Sequence, residues 1–295
     1  MALRTTITER QRRLGVELRK LREQAELTLN EAGAFIDMGR VHLTHVEGGR
    51  TAIAPDRIRS LCRGYGCTSS TLVAALVGMA ENTGKGWWSA YKGKLPLPSL
   101  DLAELESQAL GLHSYESLFI PGMFQLPDYT RAVFEASDAV TTPAGVETAV
   151  SFRMERQAIL TGDAAPEVHA VIHEAALHMR FGGSEVMRRQ LLQLVELAKL
   201  PNVTIQVVPF TATGVSGLNT PFCSLTSHGG ALETVLLDHP AESLFVHAPE
   251  SVAKYRRLFD RLCNEALAPI DADVAPASHD TRDSLGLIQY VLYTL

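Results

Sequence analysis

Residues 10–66 read RQRRLGVELRKLREQAELTLNEAGAFIDMGRVHLTHVEGGRTAIAPDRIRSLCRGYG. Leu14, Leu18 and Leu21 recur at i, i+4 and i+7, the period of one apolar helical face, while Arg10, Arg12, Arg13, Arg19, Lys20 and Arg22 surround it. Thr6 or Thr8 can cap this first helix, which the pattern ends near Ala25–Glu26. Thr28 followed three residues later by Glu31 is a capping box, so a second helix starts at once, with Ala32, Phe35 and Ile36 as its expected apolar face. Asp37-Met38-Gly39 reads as a turn. A third helix is expected over Arg40–Glu47, with Val41 and Val46 facing partly inward and Gly48-Gly49 as the stop. A fourth, opened by Pro55, buries Ile58, Leu61 and Cys62.

Helices this short cannot bury their apolar stripes alone and must pack as one unit. The second and third, joined by three or four residues, have the spacing of a helix-turn-helix, whose second member lies in the major groove of duplex DNA. The expected reading surface is therefore Arg40, His42, Leu43, Thr44 and His45, with Arg40 suited to a two-bonded contact with guanine. Thr28 offers its hydroxyl and the free N–H groups of its helix end to a phosphate, and Arg50 a clamp on the backbone. The competing reading is a helical protein-interaction domain with a solvated basic face.

The run RRLGVELRKLREQAELTLNEAGAFIDMGRVHLTHVEGGR resembles the Xre/Cro-type helix-turn-helix of actinobacterial regulators, through Leu18, Leu21, Arg22, Leu27, Thr28, Glu31, Ala32, Val46, Glu47 and Gly49. The resemblance implies a lambda-repressor-like head of four or five helices that reads double-stranded DNA, usually as a homodimer on a two-fold site. Three positions depart from the pattern. Gly39-Arg40-Val41 stands for Ser-Arg-Ser at the start of the third helix, His45 for an Arg, and Glu26 for a Gly before the Leu-Thr pair.

Charge is divided along the chain. Residues 1–78 hold twelve Arg/Lys against eight Asp/Glu, a balance of +4; the remainder holds fifteen against twenty-five, a balance of −10. A basic module on an acidic body fits a protein that meets nucleic acid with one part only. No run of eighteen apolar residues exists, so no membrane partner is expected, and MALRTTITER lacks the apolar segment of a secretory leader. A cytoplasmic chain with four reduced cysteines is the expectation.

Residues 1–77 thus read as the head and 78–98, GMAENTGKGWWSAYKGKLPLP, as an irregular linker whose Trp87-Trp88 pair either pins it against the second domain or marks a hinge. Residues 99–280 mix helical and strand-like segments. Leu102, Leu105, Glu106 and Ala109 read as helix, as do 143–160, 184–199 and 249–267. VHAVIHEAALHMRFGG runs from a short strand into a helix, VTIQVV is a buried strand, and FCSLTS, ETVLLD and SLFVHA are three more. The fold class is mainly α with an α+β body built on one mixed sheet. The tail at 281–295 can form a short helix through Leu285, Ile288 and Val291–Leu292, docked on its own body or on a second subunit.

The segments SYESLFIPGMFQLPDYTRA, RMERQAIL, HEAALHMRFGG, MRRQLLQLVELAKLPNVTIQVVPF and YRRLFDRLCNEAL resemble the domain of unknown biochemistry that follows such heads in many Streptomyces-like regulators. Some members are antitoxin-like partners of a small, separately encoded protein, so the resemblance implies a partner protein or a small-molecule effector. Arg153, Arg156, Gln157 and Glu174 are the candidate recognition set, because two guanidiniums one turn apart can hold an anion or carboxylate; internal salt bridges are the plainer account. His169, His173, Glu174 and His178 lack the H-E-x-x-H spacing of a zinc site, ATGVSG at 212–217 lacks the Lys-Ser/Thr of a phosphate loop, and Ser216, Ser224 and Ser227 lack a nucleophile setting. No cofactor or metal is expected and no enzyme is read. The leading expectation is a transcriptional regulator whose C-terminal domain senses a ligand or partner; the alternatives are an antitoxin-like interaction module with weak DNA binding and, third, an enzyme on the C-terminal domain.

Overall fold

The computed structural model describes residues 3–137, 142–214, 220–227, 232–238, 243–273 and 283–295. Ser216, part of the loop at 212–217 and the first residues of the expected tail lie outside them. The chain divides into two compact units. The first comprises Met1–Lys92, Pro96–Gln108 and Ser227–Leu232; the second comprises Gly93–Leu95, Ala109–Thr226 and Glu233–Leu295.

The head contains α1 (Glu9–Gln24), α2 (Leu29–Ala34), α3 (Arg40–Glu47), α4 (Pro55–Gly64), α5 (Ser70–Glu81) and α6 (Leu97–Glu106). The expected Thr28–Glu31 capping box forms, and of the two candidate caps of α1 it is Thr8 that serves, in a second capping box with Gln11: each threonine accepts from the backbone three residues on, with the reciprocal side-chain bond. The core joins Leu14 and Leu18 of α1, Ala32 and Ile36 around α2, Leu43 and Val46 of α3, Ile58, Leu61 and Cys62 of α4, and Leu76 and Val77 of α5. Phe35, expected inside, is exposed; it lies over Gly64, where any Cβ would overlap its ring, and meets Tyr65 edge-on at 6.4 Å.

Three helices of the head end in the same bonded motif. Leu27 N–H reaches Arg22 O and Glu26 N–H reaches Glu23 O after α1; Arg50 and Gly49 repeat this on His45 and Val46 after α3; Cys67 and Gly66 repeat it on Cys62 and Arg63 after α4. The motif needs one residue in the left-handed region. Gly49 and Gly66 supply it at φ 71° and 70°, whereas after α1 the same place is held by Glu26 at φ 56°. The glutamate that departs from the family pattern therefore carries a Cβ in a conformation that disfavours one. Glu26→Gly is expected to stabilise the head by about 0.5–1 kcal/mol, the relief of that strain exceeding the added freedom of the unfolded chain. Urea unfolding checks it, and an unchanged or lowered midpoint counts against the strain.

The head runs past the expected linker. Within 78–98 the chain finishes α5, forms a 3-10 turn over Trp87–Tyr91 and begins α6. Trp88 and Tyr91 are buried and belong to the head unit, with Trp87 edge-on to both at 6.0 and 6.1 Å. Polar groups tie α6 to the start of α1. The Arg10 Nε donates to Glu104 Oε1 at 2.6 Å with both side chains buried, and Nη1 of the same arginine donates to Met79 O. Asp101 accepts from the Glu9 backbone at the positive end of α1, yet burial, the larger effect, pushes its carboxyl up to about 7.

That shift has a sign. The unfolded carboxyl releases its proton near pH 4 and the folded one near 7, so the folded chain binds more protons between them. Stability from this group is complete below the unfolded value and lost as pH rises through 7. Asp101→Asn, which keeps an oxygen for the Glu9 N–H, is expected to gain on the wild type progressively from pH 4 to 8. Parallel melting curves at both pH values test this; equal differences at the two would refute it.

The body is a six-stranded sheet of order β3-β2-β1-β4-β5-β6, whose strands are β1 (Ala109–Glu116), β2 (Glu167–His173), β3 (Val203–Val208), β4 (Phe222–Ser227), β5 (Glu233–Asp238) and β6 (Ser243–Val246). β1, β2 and β3 are parallel, with Leu112 opposite Val168 and Ala170 opposite Ile205; β4, β5 and β6 form an antiparallel run. Ala109, expected in a helix, opens β1 instead. Parallel strands need crossovers: α7 (Pro127–Glu135) and α8 (Pro143–Gln157) join β1 to β2, and α9 (Glu174–His178) and α10 (Ser184–Leu197) join β2 to β3. The strand-end helix α11 (Pro249–Glu265) covers Tyr115, Val171, Val208, Phe222 and Val235 with Val252, Phe259 and Leu262. The tail forms α12 (Ser284–Thr294), which buries Leu285, Ile288 and Val291 beside α9, α10 and β3 of its own unit.

Candidate nucleic-acid interface

Three devices hold α3 in place. Leu43 and Val46 anchor it in the core, and at Gly15 of α1 any Cβ would overlap the carbonyls of Val46 and Glu47, so the two helices touch backbone to backbone. The Arg22 guanidinium forks onto Glu47 at 2.7 and 2.9 Å and also donates to Leu27 O at 2.8 Å, fixing the end of α3 to the α1–α2 turn. Between α2 and α3, Met38 N–H returns to Gly33 O at 2.9 Å across Asp37, which sits at φ 50°, a conformation Asp tolerates.

With Leu43, Val46 and Glu47 inward, 100° per residue decides the rest. Leu43 is fully buried and leaves the expected reading surface. Val41, expected partly inward, stands about 200° from Leu43 and is 70% exposed, at the middle of the outward face. Arg40, His42 and Thr44 are exposed and His45 is half-buried. The Thr44 hydroxyl donates to Arg40 O at 2.9 Å. Thr28 is exposed, but its hydroxyl donates to Glu31 at 2.7 Å and its N–H goes to the same carboxylate at 2.8 Å, so the capping box takes up what a phosphate would need and places a negative charge there.

The arginines nearest α1 and those around α3 and α4 differ in what holds them. Arg10, Arg13, Arg19 and Arg22 pair with Glu104, Glu17, Glu23 and Glu47. Arg40 at the start of α3, Arg50 beyond its end, and Arg57 and Arg63 on α4 are exposed and make no ion pair among the described residues. The segment before α1 adds a wall that the helical pattern did not reveal: Arg4 N–H donates to Arg50 O and its guanidinium to Gly49 O, both at 3.0 Å. This places Leu3 beside α3, where Leu3, Gly39, Arg40, Val41, His42, His45 and Thr51 line a depression of about 440 Å³.

In the body the candidate recognition set separates. Arg153 donates to Gln125 Oε1 at 2.7 Å and lies 4.5 Å over the Phe134 ring, Arg156 lies 3.9 Å from Met123 Sδ, and Gln157 donates to the carbonyls of Gly122 and Gln125. These three hold the Pro121–Gln125 bend. Glu174 is elsewhere, accepting from Phe210 N–H at 2.6 Å and facing His178 at 3.6 Å. Burial pushes Glu116, at the end of β1, up to about 8 against the opposing pull of Arg153, with Asp238 adding to the rise. His169 and His173 share one side of β2, and His169 Nε2 meets Gln206 Oε1 at 2.7 Å. Among the described residues no three His, Cys, Asp or Glu side chains converge as metal ligands, and no helix is long and apolar enough to cross a membrane.

Comparison with known proteins gives two matches. Residues 13–76 fit a helix-turn-helix domain, and residues 100–273, more than half of the chain, fit a domain of unknown function (DUF5753). No curated protein and no solved structure matches.

Proposed function

The chain belongs to the family defined by that C-terminal domain of unknown function, here carried behind a helix-turn-helix head, and from this premise we propose that it is a sequence-specific transcriptional regulator of the Xre/Cro type. α3 enters the major groove of double-stranded DNA, Arg40 bonds guanine, and Arg50 holds the phosphate backbone. Two heads act as a homodimer on a two-fold site. The body binds a small partner protein or effector and alters affinity through the coupling between the two sites. It has no catalytic role in this reading, and the protein works in the cytoplasm.

The observation that carries the reading is the outward face of α3, exposed and flanked by arginines that no carboxylate among the described residues holds. Arg40→Ala is expected to weaken specific binding by about 5- to 150-fold, the equivalent of about 1–3 kcal/mol, and to relax the preference at one base. Arg50→Ala is expected to weaken binding to all sequences alike and to flatten its salt dependence. Gel shifts across salt, with the gene's own upstream DNA and with random duplex, measure both. Sequence-blind, salt-fragile binding by the wild type would instead favour an antitoxin-like interaction module. That second reading draws support from the exposed aromatic rings of the body, Phe210, Tyr290 and Tyr293.

A further inference from the structure

The middle of the outward face of α3 is apolar. Val41 projects there at 70% exposure with no core partner to explain a large apolar side chain. Thr44, 100° round from Leu43 and also exposed, donates its hydroxyl hydrogen back to Arg40 O at 2.9 Å. Leu3, itself exposed and held by the Arg4 bonds to Gly49 and Arg50, forms the apolar side of the same depression. The flanking positions are polar: Arg40 on one side, His42 and His45 on the other.

A helix with this cross-section has a narrow choice of partner in a major groove. Guanine, adenine and cytosine offer only hydrogen-bond donors and acceptors at that edge, whereas thymine alone offers an apolar group, its C5 methyl. Resting on the DNA-binding reading above, we propose that Val41 is a specificity-determining residue that packs against a thymine methyl, within one base step of the guanine bonded by Arg40, and that Leu3 shields this contact from water. Arg40 and Arg50, exposed and without an ion pair among the described residues, supply the charge complementarity that brings the groove to this face.

The test uses the full chain. Sites are first selected from randomised duplexes, and each thymine of the selected site is then replaced singly by deoxyuridine, which removes the C5 methyl and nothing else. One replacement, adjacent to the essential guanine, is expected to weaken wild-type binding about three- to fivefold, the worth of one buried methyl-sized group. Val41→Ala is expected to bind the thymine and uracil sites equally, while Arg40→Ala loses the guanine preference and keeps the uracil penalty. Val41 is exposed, so this variant retains the fold, which circular dichroism verifies. A selected site at which the wild type ignores every uracil, or a Val41→Ala protein that keeps the penalty, overturns the inference and leaves the regulator reading intact. Failure to select any site overturns both.

Discussion

Replacing Glu104 with alanine is expected to cost the head about 3–5 kcal/mol, because it leaves a guanidinium inside the protein with no opposite charge. Arg10 and Glu104 are 7% and 4% exposed at their side chains and meet at 2.6 Å, and the same guanidinium donates to the Met79 carbonyl. Both tryptophans of the chain lie at 87 and 88, within the same unit, so their emission during urea unfolding reports the loss directly. The pair itself contributes much less than either deletion suggests. Removing both charges together, as Arg10→Met with Glu104→Leu, is expected to restore most of the stability, since two buried ions also lose their hydration. A Glu104→Ala protein within about 1 kcal/mol of wild type would show that water reaches the arginine.

Glu47→Ala should follow closely, at about 2–4 kcal/mol, for a charged fork that loses both bonds at a site 11% exposed on the arginine and 6% on the glutamate. It should also loosen the end of α3, so specific DNA binding is expected to fall further than the population of folded protein explains. The comparison that decides the cause is Glu23→Ala. Arg19 and Glu23 also meet at 2.7 Å, yet they are 63% and 51% exposed, and the loss of this solvent-screened pair is expected to leave the melting midpoint nearly unchanged. Equal effects at positions 23 and 47 would mean that burial is not what gives the Arg22–Glu47 fork its weight. Melting midpoints of the two variants settle this, with titration of the selected DNA site as the second readout.

Local chemistry in this sequence was readable and distant pairing was not. The Thr28–Glu31 capping box and the Gly49 stop announce the limits of α2 and α3 because every atom involved lies within a turn of its partner. The facing of α3 was half legible: Val46 went inward as its pattern suggested, but Leu43 and Val41 exchanged places, since two apolar residues two apart on a short helix cannot both be inside and the sequence does not say which yields. The passage from strand to helix in VHAVIHEAALHMRFGG and the three late strands were legible from their apolar runs and turns, while the antiparallel pairing of those strands follows from the folded chain. The attachment of α6 to α1 was not, because Arg10 and Glu104 lie 94 positions apart and an arginine destined for burial looks like any other in a basic helix. In the body, Arg153, Arg156 and Gln157 were recognisable as a polar set, while their common target, the bend at Pro121–Gln125, follows only from the folded chain.

The place of α6 also bears on how this gene can be divided. A fragment halted at codon 77, where the helical pattern alone would put the stop, encodes a head without its sixth helix, without the tryptophan turn and with Arg10 stripped of its counter-ion. A fragment carried through codon 108 retains all three and gives up only Ser227–Leu232, whose Leu232 closes the same core from the far end of the sequence.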